Sequence, residues 1–130
     1  MVNHSILFSN CLIAGLSFKS GRGIFAKFEA QPTDLLSESL SWELSPNDIS
    51  CLERTSIEGF WFNHPKKEGW GLFPIGAAAL VNCSLKPNAQ IDWRLHELGF
   101  IGYMTALVPI KAGEEILVDY GIGIPEGWKN

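Results

Sequence analysis

A cluster of polar residues interrupts an apolar part of the sequence at residues 82–88. Asn82, Cys83 and Ser84 follow the apolar run "AAALV", and Pro87 and Asn88 come just before an alternating apolar segment. Polar groups are costly to bury unless hydrogen-bond partners satisfy them. The cluster therefore indicates either a tight structural turn or the lining of a binding site, and we favour the binding site.

The cysteines and histidines do not form the patterns that metal binding or nucleophilic catalysis requires. Cys11, Cys51 and Cys83 are odd in number and include no C-x-x-C pair. This spacing supports neither a disulfide framework nor a zinc cluster, so no metal is expected. Nothing in the sequence pairs a histidine with a nucleophile.

Charge and hydropathy limit the partners of the chain. The net charge is −4 and the longest basic run is "KK" at residues 66–67, so a nucleic-acid partner is not expected. An acidic chain suits a basic protein or peptide, although mild acidity also simply favours solubility. Because the sequence contains neither a secretory signal nor an apolar stretch of membrane-spanning length, we expect a cytoplasmic or otherwise intracellular protein with no membrane contact.

Length and composition predict one domain over residues 1–130, mainly β with short helices. Hydrophobic residues make up 46% of the 130-residue chain, which is enough for one core. The thirteen glycines and seven prolines are scattered, which indicates many turns between short elements.

Local patterns place these elements along the chain. "LSESLSWEL" fits either a helix or a strand, and its serines and tryptophan favour a strand. Ser45, Pro46 and Asp48 form a helix start, which predicts a helix over residues 46–54. "AQIDWRLHE" alternates as a strand, and "GFIGYMTALVPI", "KAGE" and "EILVDYG" continue it as a β-meander.

Three separated segments, "GRGIF", "NCSLKPN" and "GEEILVDYG", occur in an order and at a spacing that resemble a known family. Together they resemble the SET domain of protein-lysine methyltransferases, over about residues 20–121. Each motif is weakly specific alone, and the ordered agreement of all three carries the resemblance. The segment "ALVPIKAGEEI" also fits the strand and turn before the last motif of that family.

The resemblance implies both a fold and an activity. The fold would be a β-clip in which the C-terminal segment threads beneath a preceding loop and forms a pseudoknot. The activity would be methyl transfer from S-adenosyl-L-methionine to a lysine side chain of a protein substrate.

The resemblance also implies that the glycine segment contacts the cofactor. Gly21 and Gly23 would let the backbone approach S-adenosylmethionine, with main-chain contacts from Arg22 and Ile24. The same two glycines could instead merely form a hairpin turn.

The other two motifs complete the implied site. Asn82 would hydrogen-bond the amino-acid portion of the cofactor, and the backbone of Cys83 would meet the adenine. Tyr120 would be the catalytic residue and would also line the cofactor site; the alternative is a buried tyrosine whose hydroxyl is satisfied by a backbone carbonyl. Pro87 and Asn88 would fix the turn beneath the site.

A substrate channel follows from the same resemblance. Phe60, Phe62 and Tyr103 would supply aromatic walls, although an aromatic cluster is more often part of a core. Val118 occupies a position where the family often has a larger Phe or Tyr, so we expect room for di- or trimethylation. Glu114 and the neighbouring Glu115 are expected on an exposed turn.

The sequence departs from the family pattern at Cys83, where the motif usually has histidine. If the histidine ring is needed for a hydrogen bond, activity is weak or absent, because a thiol is a poor substitute. The alternative function is therefore an inactive SET-like module, or another β-clip module, that binds a peptide or small molecule. The cysteine-rich zinc modules that some relatives use to complete the lysine channel are missing from the chain. Either Trp128, with Ile122 and Ile124, folds over that side, or the second subunit of a homodimer covers it. These three residues lie outside the part of the chain that the structure describes.

Overall fold

The chain folds as a mainly β protein, which confirms the expected fold class. The computed structural model describes residues 6, 8–18 and 21–120, and within these residues nine strands form three sheets beside one α-helix and one 3₁₀-helix. The strands are β1 (Leu12–Gly15), β2 (Gly23–Ala26), β3 (Leu35–Leu44), β4 (Phe62–Asn63), β5 (Gly71–Ile75), β6 (Asn82–Cys83), β7 (Ala89–His96), β8 (Gly99–Ala106) and β9 (Leu117–Val118). The helices are α1 (Pro46–Leu52) and the 3₁₀-helix Ala77–Ala79.

The largest sheet is antiparallel, with the strand order β4-β5-β3-β8-β7. Its strand β3 is the ambiguous segment "LSESLSWEL", which is a strand as predicted. Strands β7 and β8 form a hairpin in which Ala89 pairs with Ala106 and His96 pairs with Gly99. Gly99 has a φ of 97° in this tight turn, a conformation that glycine adopts without a steric penalty.

Helix α1 begins at the predicted residue and ends two residues early. The Ser45 side chain accepts a hydrogen bond from the Asp48 amide at 3.1 Å, and the Asp48 side chain accepts one from the Ser45 amide at 2.9 Å. This reciprocal pair is a capping box. The helix ends at Leu52 rather than residue 54 because the chain turns away, with Arg54 in a left-handed conformation at a φ of 69°.

One cluster of buried apolar side chains connects the sheets. It includes residues of β2, β3, β7, β8 and β9, and Tyr120 packs against it while remaining partly buried. The cluster therefore holds the start and the end of the described chain against the large sheet. Its members are Ile24, Ala26, Ala30, Leu36, Val81, Ala89, Met104, Ala106, Ile110, Ile116 and Val118.

Strands β6 and β9 pair in parallel and bring the second and third motifs together. Cys83 lies opposite Val118, and the Ser84 amide donates to the Val118 carbonyl at 2.9 Å. Asn88 fixes this pairing, since its side chain accepts from the Leu117 amide and donates to the Glu115 carbonyl, both at 2.8 Å. These bonds match the structural role expected for Asn88. The predicted pseudoknot depends partly on residues 121–130, which lie outside the described residues, so it stays a prediction.

The loop after β4 is anchored by a buried histidine. The His64 side chain is only 1% exposed, and its Nδ1 accepts hydrogen bonds from the amides of Lys66 and Lys67, each at 3.0 Å. Nε2 must therefore carry the ring proton, which it donates to Glu43 at 2.7 Å. This hydrogen bond, more than the nearby Lys67 ammonium, lowers the pKa of Glu43.

Within residues 6, 8–18 and 21–120, no helix combines the length and the apolar character needed to cross a bilayer. The same residues contain no group of three or more His, Cys, Asp or Glu side chains placed to hold a metal ion.

Candidate functional site

The hydroxyl of Tyr120 lies at the peptide bond that joins Val81 to Asn82. It donates a hydrogen bond to the Val81 carbonyl oxygen, 39 residues earlier in the chain, at 2.5 Å. The pairing of Cys83 with Val118 places the last motif, which continues to Tyr120, beside the polar cluster. The phenol predicted to be catalytic therefore lies against the peptide group that precedes the asparagine predicted to bind cofactor.

The phenol of Tyr120 stays protonated over the physiological range. Burial raises the pKa of Tyr120 to about 12, and the neighbouring Cys83 adds to the shift. A phenol with this pKa is a hydrogen-bond donor at neutral and mildly basic pH. Tyr120 can therefore orient a group by hydrogen bonding, but it is not available as a phenolate base at these pH values.

Aromatic rings enclose one side of Tyr120. The ring of Phe62 contacts it edge-on, with centroids 5.4 Å apart, and Trp93 packs against Phe62 with centroids 5.5 Å apart. Phe62 is buried. This residue, predicted to line the substrate channel, therefore packs directly beside Tyr120. We call Phe62, Trp93 and Tyr120 the aromatic cluster.

Trp93 is a member of the aromatic cluster that sequence reasoning missed. It lies on β7 directly opposite Gly102 of β8, where a Cβ would be only 2.8 Å from the indole ring. The missing side chain of Gly102 therefore lets the indole lie across the sheet. The alternation of β7 predicts only that Trp93 shares a face with Ile91 and Leu95, and the cross-strand glycine explains why its ring reaches Phe62.

The other two predicted aromatic residues do not join the cluster. Side chains alternate between the faces of a strand, and Met104, beside Tyr103, points into the core. Tyr103 therefore lies on the opposite face, where the Arg94 guanidinium sits 5.7 Å from its ring centroid. The structure therefore does not bring Tyr103 to the predicted substrate channel. Phe60 is 42% exposed at the end of a turn, outside the packed rings.

The side-chain amide of Asn82 connects the second motif to the other two. Its Nδ2 donates to the Arg22 carbonyl at 2.9 Å and to the Glu115 carboxylate at 2.8 Å, and it lies 3.3 Å from the Ser17 hydroxyl. Asn82 is buried, with 4% of its surface exposed. Asn82 can therefore be buried because the Arg22 carbonyl and the Glu115 carboxylate satisfy its side-chain amide.

The two glycines of the first motif are required for different reasons. Gly21 has a φ of 84° in a turn where its amide donates to the Ser17 carbonyl at 3.1 Å. Gly23 needs no unusual conformation, but a Cβ there would lie 2.4 Å from a Glu115 carboxylate oxygen and 2.9 Å from Asn82 Nδ2. Gly21 therefore serves the turn, and Gly23 lets two polar side chains approach the backbone.

Three further predicted site residues are deeply buried. Ile24 and Val118 belong to the core cluster, and Cys83 is 0% exposed. The Ile24 carbonyl accepts from the Ile116 amide at 2.8 Å, so β2 is tied to the last motif through its backbone. Any ligand contact of Ile24 or Cys83 would thus come from the main chain, as the resemblance implies.

Glu115 was expected on an exposed turn, and that expectation was wrong. Its carboxylate is partly buried, and both oxygens lie 2.9 Å from the Ser17 hydroxyl. Glu114 does lie exposed on the turn, as expected. No sequence signal separates the two glutamates, because the partners of Glu115 are far away: Ser17 by 98 residues and Asn82 by 33.

These contacts define a class of protein: a small, mainly β domain in which the side chain of a buried asparagine bonds the glycine segment, and a late tyrosine bonds the peptide group that precedes that asparagine. A model of the SET domain family matches residues 21–121. The chain therefore belongs to the SET domain family, which confirms the resemblance seen in the sequence. No curated protein matches the chain.

Solved structures show the same fold. A Plasmodium falciparum "putative histone methyltransferase" aligns with a TM-score of 0.72 at 18% identity, over 88% of this chain and 96% of that one. Polycomb Repressive Complex 2 from Chaetomium thermophilum, bound to GSK126, aligns with a TM-score of 0.71 at 21% identity, over 92% of this chain. The chain spans only 17% of the length of that second protein.

Proposed function

We propose that this protein transfers a methyl group from S-adenosylmethionine to a lysine side chain of a basic protein or peptide. One observation carries the proposal: the Tyr120 hydroxyl meets the peptide group that precedes Asn82, while the Asn82 amide meets the Arg22 carbonyl. Three segments that are distant in sequence thus converge, with a protonated phenol at one end and polar groups at the other. Membership of the SET domain family supports the same chemistry.

The polar end of the site suits the amino-acid part of S-adenosylmethionine. That part carries an ammonium and a carboxylate, and the Arg22 carbonyl is an acceptor suited to an ammonium. The oxygen of the Asn82 side-chain amide is a further acceptor, while its nitrogen donates to Arg22 and Glu115. The backbones of Gly21, Gly23, Ile24 and Cys83 would provide main-chain contacts. When bound, the cofactor supplies a methyl group activated on a positively charged sulfur.

The aromatic cluster suits the lysine. A free lysine with a pKa near 10.4 is only about 0.1% neutral at pH 7.4, and only the neutral amine has a lone pair for displacement. The apolar rings of Phe62 and Trp93 would disfavour the ammonium by removing it from water. The Tyr120 hydroxyl would then orient the amine nitrogen toward the methyl group. Phe60 would contact the more exposed part of the substrate.

The methylation state of the product is a finer part of the proposal. Val118 is smaller than the Phe or Tyr often found at its position in the family, so we expect space for an amine that already carries methyl groups. Mass spectrometry of a reaction run to completion would then show di- or trimethyllysine. A product that stops at monomethyllysine, with cofactor still present, would contradict this role for Val118.

The activity is tested by radiolabelled methyl transfer. The protein is incubated with methyl-labelled S-adenosylmethionine and a panel of histones, ribosomal proteins and basic peptides. We expect label on lysine with wild-type protein and with Tyr103→Phe, which alters a tyrosine on the opposite face of the sheet. Tyr120→Phe should abolish most of the transfer. Equal labelling by all three proteins would contradict the proposed site.

A second candidate function is favoured by Cys83, which replaces the motif histidine with a buried thiol. In that case the domain binds a peptide or the cofactor without transferring a methyl group. Calorimetry with S-adenosylhomocysteine and the transfer assay separate the two functions. Binding without transfer over the whole panel would favour the inactive module.

We further propose an intracellular, homodimeric protein. Support for the compartment comes from Cys11 and Cys51, which carry free thiols and suit a reducing environment. Support for the dimer comes from exposed apolar residues around β1, including Leu16 at 90% and Ile13 at 51% exposure. Sedimentation equilibrium should give twice the monomer mass, and a monomer at micromolar concentration would contradict it.

A further inference from the structure

The carboxylate of Glu115 lies where it can decide the orientation of the Asn82 side chain. Asn82 Nδ2 faces two acceptors that carry no proton, the Glu115 carboxylate at 2.8 Å and the Arg22 carbonyl at 2.9 Å, and it lies farther, at 3.3 Å, from the Ser17 hydroxyl. A half-turn of the amide would bring its oxygen against both of them. Because neither a carboxylate nor a carbonyl has a proton to donate, the turned amide would meet repulsion instead of two hydrogen bonds.

Glu115 is itself held by Ser17 in a space that Gly23 leaves open. The Ser17 hydroxyl lies 2.9 Å from both carboxylate oxygens. Gly23 has no side chain, and a Cβ there would be 2.4 Å from the same oxygen that accepts from Asn82. The carboxylate thus occupies a space that the glycine leaves open. A partly buried charge fixed in this way makes stronger hydrogen bonds than a neutral acceptor would.

We propose that Glu115 is a positioning residue for cofactor binding: it fixes the Asn82 amide so that its nitrogen faces the glycine segment and its oxygen faces away from it. The proposal rests on the proposed function, since it names the residue that prepares Asn82 for the cofactor. It assigns Glu115 no contact with the transferred methyl group. Losing the carboxylate should therefore weaken cofactor binding and leave the chemical step largely unchanged.

The test compares Glu115→Ala and Glu115→Gln with Glu114→Gln. Glutamine keeps an oxygen that can accept from Asn82 without the negative charge, whereas alanine removes the acceptor. Glu114 is a matched control because it is the adjacent glutamate, carries the same charge and lies exposed on the turn. Calorimetric titration of each protein with S-adenosylhomocysteine gives the dissociation constant.

We expect Glu115→Ala to bind S-adenosylhomocysteine about tenfold or more weakly than wild type, because a charged hydrogen bond is lost. Glu115→Gln should bind about threefold more weakly and so rescue part of the loss. Glu114→Gln should remain within about twofold of wild type. In the transfer assay the KM for cofactor should rise in Glu115→Ala while kcat changes little, a split that simple destabilisation would not produce.

Nuclear magnetic resonance tests the orientation without any ligand. The two Asn82 side-chain amide protons should be distinct and slow to exchange in wild type and in Glu114→Gln, and should exchange quickly in Glu115→Ala. If Glu115→Ala does not fold, the test uses Glu115→Gln alone. Its dissociation constant for S-adenosylhomocysteine and its Asn82 amide-proton signals are then compared with those of wild type.

Three results would overturn the proposal. Glu115 variants that bind S-adenosylhomocysteine as tightly as wild type would remove the positioning role and leave the proposed function intact. Unchanged exchange of the Asn82 side-chain amide protons in Glu115→Ala would also remove the positioning role of Glu115. A wild-type protein that binds no S-adenosylhomocysteine would overturn the proposed function together with this inference.

Discussion

Replacing Tyr120 with phenylalanine separates the two roles that this residue could have. The substitution removes one hydroxyl and keeps the ring that packs edge-on against Phe62. A purely structural tyrosine would contribute its hydrogen bond to the Val81 carbonyl and nothing more. A tyrosine that orients the substrate amine would contribute to the rate as well.

The structure sets the size of the expected stability loss. Among the residues that the structure describes, the hydroxyl makes one hydrogen bond, to the Val81 carbonyl, and such a bond contributes about 1 kcal/mol net to the free energy of unfolding. The loss could reach roughly 3 kcal/mol if the carbonyl gains no other donor. A loss of 1 kcal/mol lowers the melting temperature of a domain of this size by roughly 4 °C. The variant should therefore stay folded at 25 °C.

The expected loss of activity is much larger. Misplacing a reacting group by about 1 Å can lower a rate by roughly a hundredfold, and here the group that orients the amine is deleted. We expect kcat to fall at least about a hundredfold, with the S-adenosylhomocysteine dissociation constant within about threefold of wild type. Labelled methyl transfer, thermal unfolding by circular dichroism and calorimetry measure the three quantities. A folded Phe variant that retains wild-type kcat would refute the catalytic role and leave only the structural bond.

Three further predictions follow from the described contacts. In a Tyr103→Phe variant, which leaves Tyr120 as the only tyrosine, tyrosinate absorbance should rise with a midpoint at about pH 12; a midpoint near 10 would show that the phenol is not desolvated. Gly23→Ala should lower the free energy of unfolding by roughly 1–3 kcal/mol in urea titrations, because the new Cβ overlaps neighbouring polar atoms, and an unchanged midpoint would contradict this packing. The Glu43 pKa is lowered by its hydrogen bond from His64, so this carboxylate stabilises the fold above its ordinary pKa of 4.5 and loses that effect as the pH falls through the lower folded value. Glu43→Gln should therefore flatten the acid limb of the stability profile, and an identical limb would exclude the bond as a source of stability.

Local features of the fold could be predicted from the sequence because their causes are local. Ser45 and Asp48 are three residues apart, so the capping box of α1 could be recognised directly. The alternation in "AQIDWRLHE" likewise predicted β7. The end of α1 was less predictable, because the left-handed Arg54 reflects how the following loop leaves the helix.

The long-range contacts of the site could be predicted only in part. The family motifs placed Asn82 and Tyr120 together, and the structure brings them to one peptide group. The alternation of β8 could not show that the Tyr103 ring lies on the face away from Tyr120. It also could not show that Gly102 makes room for the Trp93 indole on the neighbouring strand. Glu115 was missed for the same reason, because its surroundings are supplied by distant segments.

The central claim is that the glycine segment, the polar cluster and the last motif form one site for S-adenosylmethionine. A crystal structure of the protein with S-adenosylhomocysteine tests this claim most directly. We predict that the ligand lies against Arg22 and Asn82, with its sulfur directed toward the Tyr120 hydroxyl. Ligand bound elsewhere, or none at millimolar concentration in a crystal that leaves these residues accessible, would contradict the claim.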